Sequence, residues 1–115
     1  MKKLLLALNT GFFIGAMLLA ACEPMVTLQI KNDTAQTLNV FVAFTTLDHV
    51  DIRDTRIPEG PVEPGKVLRF EDIRNSSKTY LIEARDAQGN LVYLQEFKFQ
   101  ELEKANWKVV ISASQ

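Results

Sequence analysis

The stretch DHVDIRD, residues 48–54, brings the only histidine of the chain together with three carboxylates. Asp48, Asp51 and Asp54 offer the oxygen ligands that hard cations such as calcium prefer. Their spacing differs from that of an EF-hand loop, which needs acidic residues at alternate positions and a glycine turn, and Arg53 adds a positive charge. We therefore expect a solvated loop or an edge strand, with a weak divalent-ion site at these aspartates as the alternative.

His49 also raises the question of hydrolytic chemistry. A Ser-His-Asp arrangement would need one of the serines at positions 76, 77, 112 and 114 beside His49. None of these serines lies in a Gly-x-Ser-x-Gly turn. The sequence therefore predicts no catalytic residue, no cofactor and no enzymatic activity. A hydrolase that depends on His49 is the least favoured alternative.

The single cysteine, Cys22, directly follows an uncharged apolar run over residues 4–21. Lys2 and Lys3 precede the run, and the small residues Ala20 and Ala21 end it. A basic start, an apolar middle and a small-residue end are typical of a secretory signal peptide. The run is just long enough to span a bilayer, so an uncleaved anchor and ordinary secretion remain the alternatives.

The residues Leu19-Ala20-Ala21-Cys22 resemble the lipobox of bacterial lipoproteins. This resemblance covers residues 1–22 only. It implies cleavage between Ala21 and Cys22, a diacylglyceryl group on the thiol, and a further acyl chain such as palmitate on the new amino group. It also implies attachment to a membrane of the cell envelope.

The position after the cysteine bears on which membrane that is. An aspartate there tends to hold enterobacterial lipoproteins at the inner membrane, whereas this chain has Glu23. By that analogy we expect the outer membrane, facing the periplasm, in a cell with two membranes. The inner membrane stays open.

The charge of the remaining chain excludes some partners. Loss of Lys2 and Lys3 leaves 11 Lys and Arg against 14 Asp and Glu, a net charge of −3 with His49 neutral. Nucleic-acid binding needs a concentrated basic surface, so we expect no nucleic-acid partner. No polybasic segment for anionic lipid stands out either.

Alternating apolar and polar residues predict strands at 26–31, 38–45, 67–71, 80–85, 91–99 and 107–111. The proline-rich stretch 47–65 is expected to be irregular and cannot be a central strand. Two strands joined by residues 86–90 predict a hairpin, with a bulge or two buried faces in its second arm. Residues 100–106 predict one helical turn. Trp107 is expected to be buried on the same face as Val109 and Ile111.

This pattern predicts an all-β fold, a small antiparallel β-sandwich of about six strands. It is loosely similar to immunoglobulin-like and transthyretin-like sandwiches of bacterial envelope proteins, without a defining motif. The expected organisation is a signal peptide at 1–21, a lipidated cysteine and short tether at 22–25, and one domain at 26–115.

We therefore expect a non-catalytic, lipid-anchored envelope protein that serves as a protein-interaction or structural accessory domain. The short tether would keep it close to the membrane, with a membrane-bound protein as partner. The alternative function is a small-ligand or divalent-ion binding module that uses the loop at 47–65.

Lipidation is expected to depend on Cys22 alone. The substitution Cys22→Ser should leave the precursor unlipidated and unprocessed by the lipoprotein route, because the thiol is the acceptor. Mass spectrometry of the mature N-terminus measures this. An unmodified N-terminus at any other residue of the wild-type protein would contradict the prediction.

Overall fold

A computed structural model describes residues 24–46 and 56–113, which form two β-sheets and one short helix. The strands are β1 Met25–Asp33, β2 Leu38–Thr45, β3 Ile57–Val62, β4 Val67–Ile73, β5 Thr79–Arg85, β6 Leu91–Lys98 and β7 Lys108–Ser112. The helix α1, Phe99–Lys104, lies between β6 and β7. Within these ranges, no helix is long and apolar enough to cross a membrane.

The two sheets have three and four strands, in the orders β4-β1-β7 and β3-β2-β5-β6. All pairings are antiparallel except that of β1 with β7, which is parallel. This pair can be parallel because α1 carries the chain from the four-stranded sheet to the other one, so that no hairpin links β7 to its neighbour. The predicted all-β sandwich is confirmed, with seven strands in place of about six.

The core lies between the two sheets and follows from the period-two alternation of the strands. In β1 every second residue from Val26 to Asn32 is buried, while the residues between them face outwards. The same alternation places Val40 opposite Ala84 and Val42 opposite Ile82 on the inner face of the other sheet. The fully buried apolar residues include Leu28, Ile30, Leu38, Val40, Val42, Tyr80, Ile82, Leu102 and Ile111.

The proline-rich region differs from its prediction, because residues 57–62 form strand β3. β3 is an edge strand paired only with β2, and its register shifts between Val40 and Phe41. Edge strands tolerate proline because one side of the backbone needs no ladder partner, which accommodates Pro58 and Pro61. Only the expectation that this stretch would not be a central strand holds.

The second arm of the β5–β6 hairpin contains a bulge, one of the two explanations predicted from its mixed parity. Ala84 pairs with Tyr93 and Arg85 pairs with Leu91, so Val92 is the extra residue. The bulge restores one inward face along β6, on which Tyr93 and Phe97 pack against the core. The two arms therefore align over their whole length despite unequal residue counts.

Trp107 does not occupy the strand position predicted for it. It precedes β7, is half-buried and has a φ of 60°, the left-handed region. Its N–H donates to the Leu102 carbonyl at 2.8 Å, which closes the end of α1. Its ring contacts Tyr80 and Phe99 edge to face, at centroid distances of 5.8 and 5.1 Å. Trp107 thus covers the end of the core.

Asn32 joins two turns at the end of the sandwich opposite the start of β1. Its side-chain amide donates to the carbonyls of Gln36 and Val62, both at 2.8 Å. Its Oδ1 accepts from the backbone N–H of Thr34 at 2.9 Å and from the Thr34 hydroxyl at 2.6 Å. Asn32 is 1% exposed, so water cannot reach these polar groups. The hydrogen bonds within the protein satisfy them instead.

Asn32→Ala should lower the free energy of unfolding by about 1–3 kcal/mol, since it leaves buried carbonyls without donors. Asn39→Ala is the matched control, because Asn39 is exposed on β2 and has no side-chain hydrogen bond among the described residues. Urea denaturation of both variants measures the difference. Equal midpoints would contradict the role of Asn32.

Candidate functional site

The N-terminal end of the sandwich gathers the start of β1, the 74–78 loop and α1. The Pro24 carbonyl accepts a hydrogen bond from the Arg74 N–H at 2.9 Å, and Met25 pairs with Ile73. Phe99 N–H donates to the Lys78 carbonyl at 3.2 Å, which ties the helix to the loop. These contacts hold the residue that follows Glu23 against the folded domain.

A polar network closes the core at this end. Asp72 Oδ2 accepts from Lys78 Nζ at 2.7 Å and from the Tyr80 hydroxyl at 2.9 Å. The side chains of Lys78 and Asp72 are only 11% and 12% exposed. Lys78 Nζ also lies 4.3 Å from the centroid of the Phe44 ring, a cation–π contact. The lysine is therefore held between a carboxylate and an aromatic face.

Tyr80 links this network to the aromatic end of the core. It is fully buried, and its ring lies 6.1 Å from Phe44 and 5.8 Å from Trp107. Burial raises the pKa of Tyr80 far above its ordinary value, and the hydrogen bond to Asp72 and the negative charge of that carboxylate raise it further. The phenol therefore stays protonated and acts as a donor.

A lysine, a tyrosine and a carboxylate in contact are groups that can transfer protons in enzymes. Here the three side chains bond one another, and no buried side-chain nitrogen or oxygen among the described residues lacks a partner. The nearby Arg74–Glu103 ion pair, at 2.6 Å, is about 40% exposed on both sides, so it adds little stability. The network is best explained as the polar closure of the core.

A second charged cluster lies on the outer face of the four-stranded sheet. Glu83 is 3% exposed, and its carboxylate accepts from both Arg56 and Arg85. Arg56 Nη1 lies 2.8 and 3.0 Å from the two Glu83 oxygens, and Arg85 Nε lies 2.8 Å from Oε2. The Arg56 guanidinium also covers the Phe41 ring at 5.7 Å. Both arginines are therefore engaged within the protein.

Two shallow grooves lie at opposite ends of the sandwich. One, of about 370 Å³, lies beside α1 and is lined by Ser76, Phe99, Gln100, Glu103 and Lys104. The other, of about 420 Å³, lies by the β3–β4 turn, between Thr37 and Leu68. Neither groove combines the buried polar groups and enclosed apolar walls that are typical of small-molecule sites.

Most residues singled out by the sequence lie outside the described ranges. These are Ala21, Cys22, Asp48, His49, Asp51, Asp54 and Ser114. Ser76 and Ser77 lie in the loop at the N-terminal end, whereas Ser112 ends β7 on the far side. Among the described residues no group of three or more His, Cys, Asp or Glu could hold a metal ion.

The sequence did not reveal the Asp72 and Glu83 clusters. The predicted strand at 67–71 ends just before Asp72, yet Asp72 is the last inward-facing residue of β4. Glu83 occupies an outward position in β5, where solvent exposure is the usual expectation. The apolar residues Leu81, Ile82 and Ala84 around Glu83 were the only signal in the sequence.

No protein-family model matches the chain, and a search of curated proteins finds no relative.

The two tyrosines provide a test of this end of the sandwich. Burial also raises the pKa of Tyr93 above its ordinary 10.0. The pKa values of both tyrosines are higher in the folded protein than in the unfolded chain. Their protonated phenols therefore contribute to the free energy of unfolding below about pH 10, and this contribution is lost as the pH rises further. Phenolate absorbance of the folded protein should therefore rise at a higher pH than that of free tyrosine, and it should rise together with unfolding.

Two variants separate the contributions of Tyr80 and Tyr93 to the loss of stability at high pH. Tyr80→Phe should reduce the alkaline loss of stability more than Tyr93→Phe does, because only Tyr80 also faces a carboxylate. Circular dichroism recorded at each pH establishes that the protein is folded. Complete tyrosine ionisation near pH 10 in the folded protein would show that Tyr80 is accessible to water.

Proposed function

We propose that the protein is a non-catalytic, lipid-anchored component of the bacterial cell envelope. Its sandwich is held close to the membrane and serves as an interaction or structural accessory domain. The observation that carries the proposal is the position of β1, which begins at Met25, three residues after Cys22. A domain that starts so near an acylated cysteine has almost no freedom to leave the bilayer surface.

The reach of the tether follows from chain dimensions. Residues 22–24 span at most about 10 Å at ~3.3–3.6 Å per residue. β1 cannot lengthen this tether, because it is hydrogen-bonded on both sides, to β4 and to β7. Pro24 is held by the Arg74 N–H. The partner must therefore be membrane-bound or must itself approach the membrane.

Support for a non-catalytic role comes from the charged clusters. Asp72 and Glu83, the two most buried ion-paired carboxylates among the described residues, each have two cationic or hydroxyl donors. Because their oxygens accept these hydrogen bonds, neither of the two carboxylates is available as a free acid or base. Outer-membrane attachment through two or more acyl chains fits this role, since two chains give stable anchoring and one does not.

A spacer insertion tests the proposal. About 20 Gly and Ser residues inserted after Glu23 add roughly 25 Å of root-mean-square reach. A photoreactive residue at Leu94, which is 41% exposed on the outer face of the four-stranded sheet, should cross-link a membrane protein in cells. The adduct should disappear in the spacer variant, whose lipid and fold are intact.

The matched control is the same insertion between Gln88 and Gly89, at the tip of the β5–β6 hairpin. It leaves the distance between lipid and sandwich unchanged, so the adduct should persist. Cross-linking that survives the spacer after Glu23 would show that membrane proximity is not required.

A further inference from the structure

The outer face of the three-stranded sheet differs in character from the rest of the surface. It consists of the outward-facing side chains of β1, β4 and β7. Among the described residues, seven large hydrophobic side chains are exposed. Four of them lie on this one face: Met25, Val67, Ile73 and Val110, which are 41–55% exposed.

The strand registers place two of these side chains next to each other and the other two on either side of the central strand. Met25 is directly opposite Ile73, at the N-terminal end of the sheet. Lys31 of the central strand lies between Val67 on one side and Val110 on the other. The apolar side chains therefore occupy both ends of the face and its two edges, which suits contact over a broad flat surface.

Three cations lie on the same face. Lys31, Arg69 and Lys108 are exposed, and Gln29 is the common neighbour of Arg69 and Lys108. None of the three has an ion-pair partner in the described parts of the chain. Two acidic residues, Asp33 and Glu71, share the face, opposite Ser112 and Thr27.

On the opposite side of the sandwich, Arg56 and Arg85 both pair with the buried Glu83 carboxylate. Three of the cations without an ion-pair partner and four of the seven exposed large hydrophobic side chains among the described residues thus lie together on the three-stranded sheet.

The start of β1 connects this face to the proposed anchor. Met25 is itself part of the face, and only Glu23 and Pro24 separate it from Cys22. A lipid on Cys22 would enter the bilayer within about 14 Å of the Met25 corner, given the extended length of residues 22–25. Whatever surface holds the lipid therefore lies beside these side chains.

We infer that the outer face of the three-stranded sheet rests on the membrane, with an anionic lipid surface as its ligand. Apolar side chains enter the interfacial region, as those of interfacial helices do, while the lysine and arginine heads reach the lipid phosphates. The strands then lie along the membrane and the four-stranded sheet faces away. This inference rests on the proposed lipid anchor.

Quenching of tryptophan fluorescence by brominated lipid tests this orientation. The experiment uses the full protein, extracted from membranes and reconstituted in vesicles. Val110→Trp places a reporter on the proposed contact face, and Leu94→Trp places one at a similarly exposed position on the opposite sheet, 48% and 41% exposed in the wild type. Both are surface strand positions, which accept aromatic residues. Wild-type protein supplies the background from Trp107. The vesicles contain brominated phosphatidylcholine with phosphatidylglycerol.

The expected result is at least twofold stronger quenching for Val110→Trp than for Leu94→Trp. Val67→Trp provides a second reporter on the contact face and replaces Val110→Trp if that variant does not fold. Lys31→Gln with Lys108→Gln should reduce the quenching when phosphatidylglycerol is present. Lys104→Gln, on α1, should not.

The possible outcomes distinguish a failure of the membrane-facing orientation from a failure of the proposed lipid anchor. Mass spectrometry of the same preparation shows whether Cys22 is acylated. If Cys22 is acylated and the reporters on the two sheets are quenched equally, the membrane-facing orientation is wrong and the anchor stands. If Cys22 is unmodified, the anchor and the orientation are both wrong.

Discussion

The position of β1 between β4 and β7 is the constraint on which the rest of the structure depends. Its inward side chains, Leu28 and Ile30, are among the most buried in the core. Its outward side chains form the middle of the three-stranded face. Its first residue sets the distance from the sandwich to Cys22. A single strand therefore couples core packing, surface character and the reach of the proposed tether.

The two ends of the sandwich are closed by different means. At the far end, Asn32 satisfies backbone groups of two turns through one buried amide. At the N-terminal end, Asp72 binds Lys78 and Tyr80 beneath a cluster of aromatic rings. Because the described domain contains no disulfide and no metal cluster, these bonds supplement a core that must stabilise a small fold largely by apolar burial.

The distribution of charge on the two outer faces bears on orientation. Net charge after removal of the two N-terminal lysines is negative, which by itself gives no reason to approach anionic lipid. The fold nevertheless pairs two arginines with Glu83 on one sheet and leaves Lys31, Arg69 and Lys108 unpaired on the other. A protein can therefore be acidic as a whole and present a partly apolar face on which three cations outnumber two carboxylates.

The sequence by itself determined the all-β class, the β5–β6 hairpin and most strand positions, because alternation of apolar residues directly reflects which face of a strand is buried. The lipidation of Cys22, inferred from a local motif, stays a prediction. The sequence did not reveal β3, because prolines at an edge look like loop residues until the neighbouring strand is known. Nor did it place Trp107, whose left-handed backbone follows from the end of α1.

Only the tertiary structure decided which charges meet. Asp72 and Lys78 are close along the chain, but Lys78 lies against the Phe44 ring and Asp72 accepts a hydrogen bond from the buried Tyr80. Arg56 reaches Glu83 from a separate strand region, and Lys31, Arg69 and Lys108 come from three different strands. Strand order and register create these groupings. A pattern along one segment cannot encode them, because the partners are set by packing between sheets.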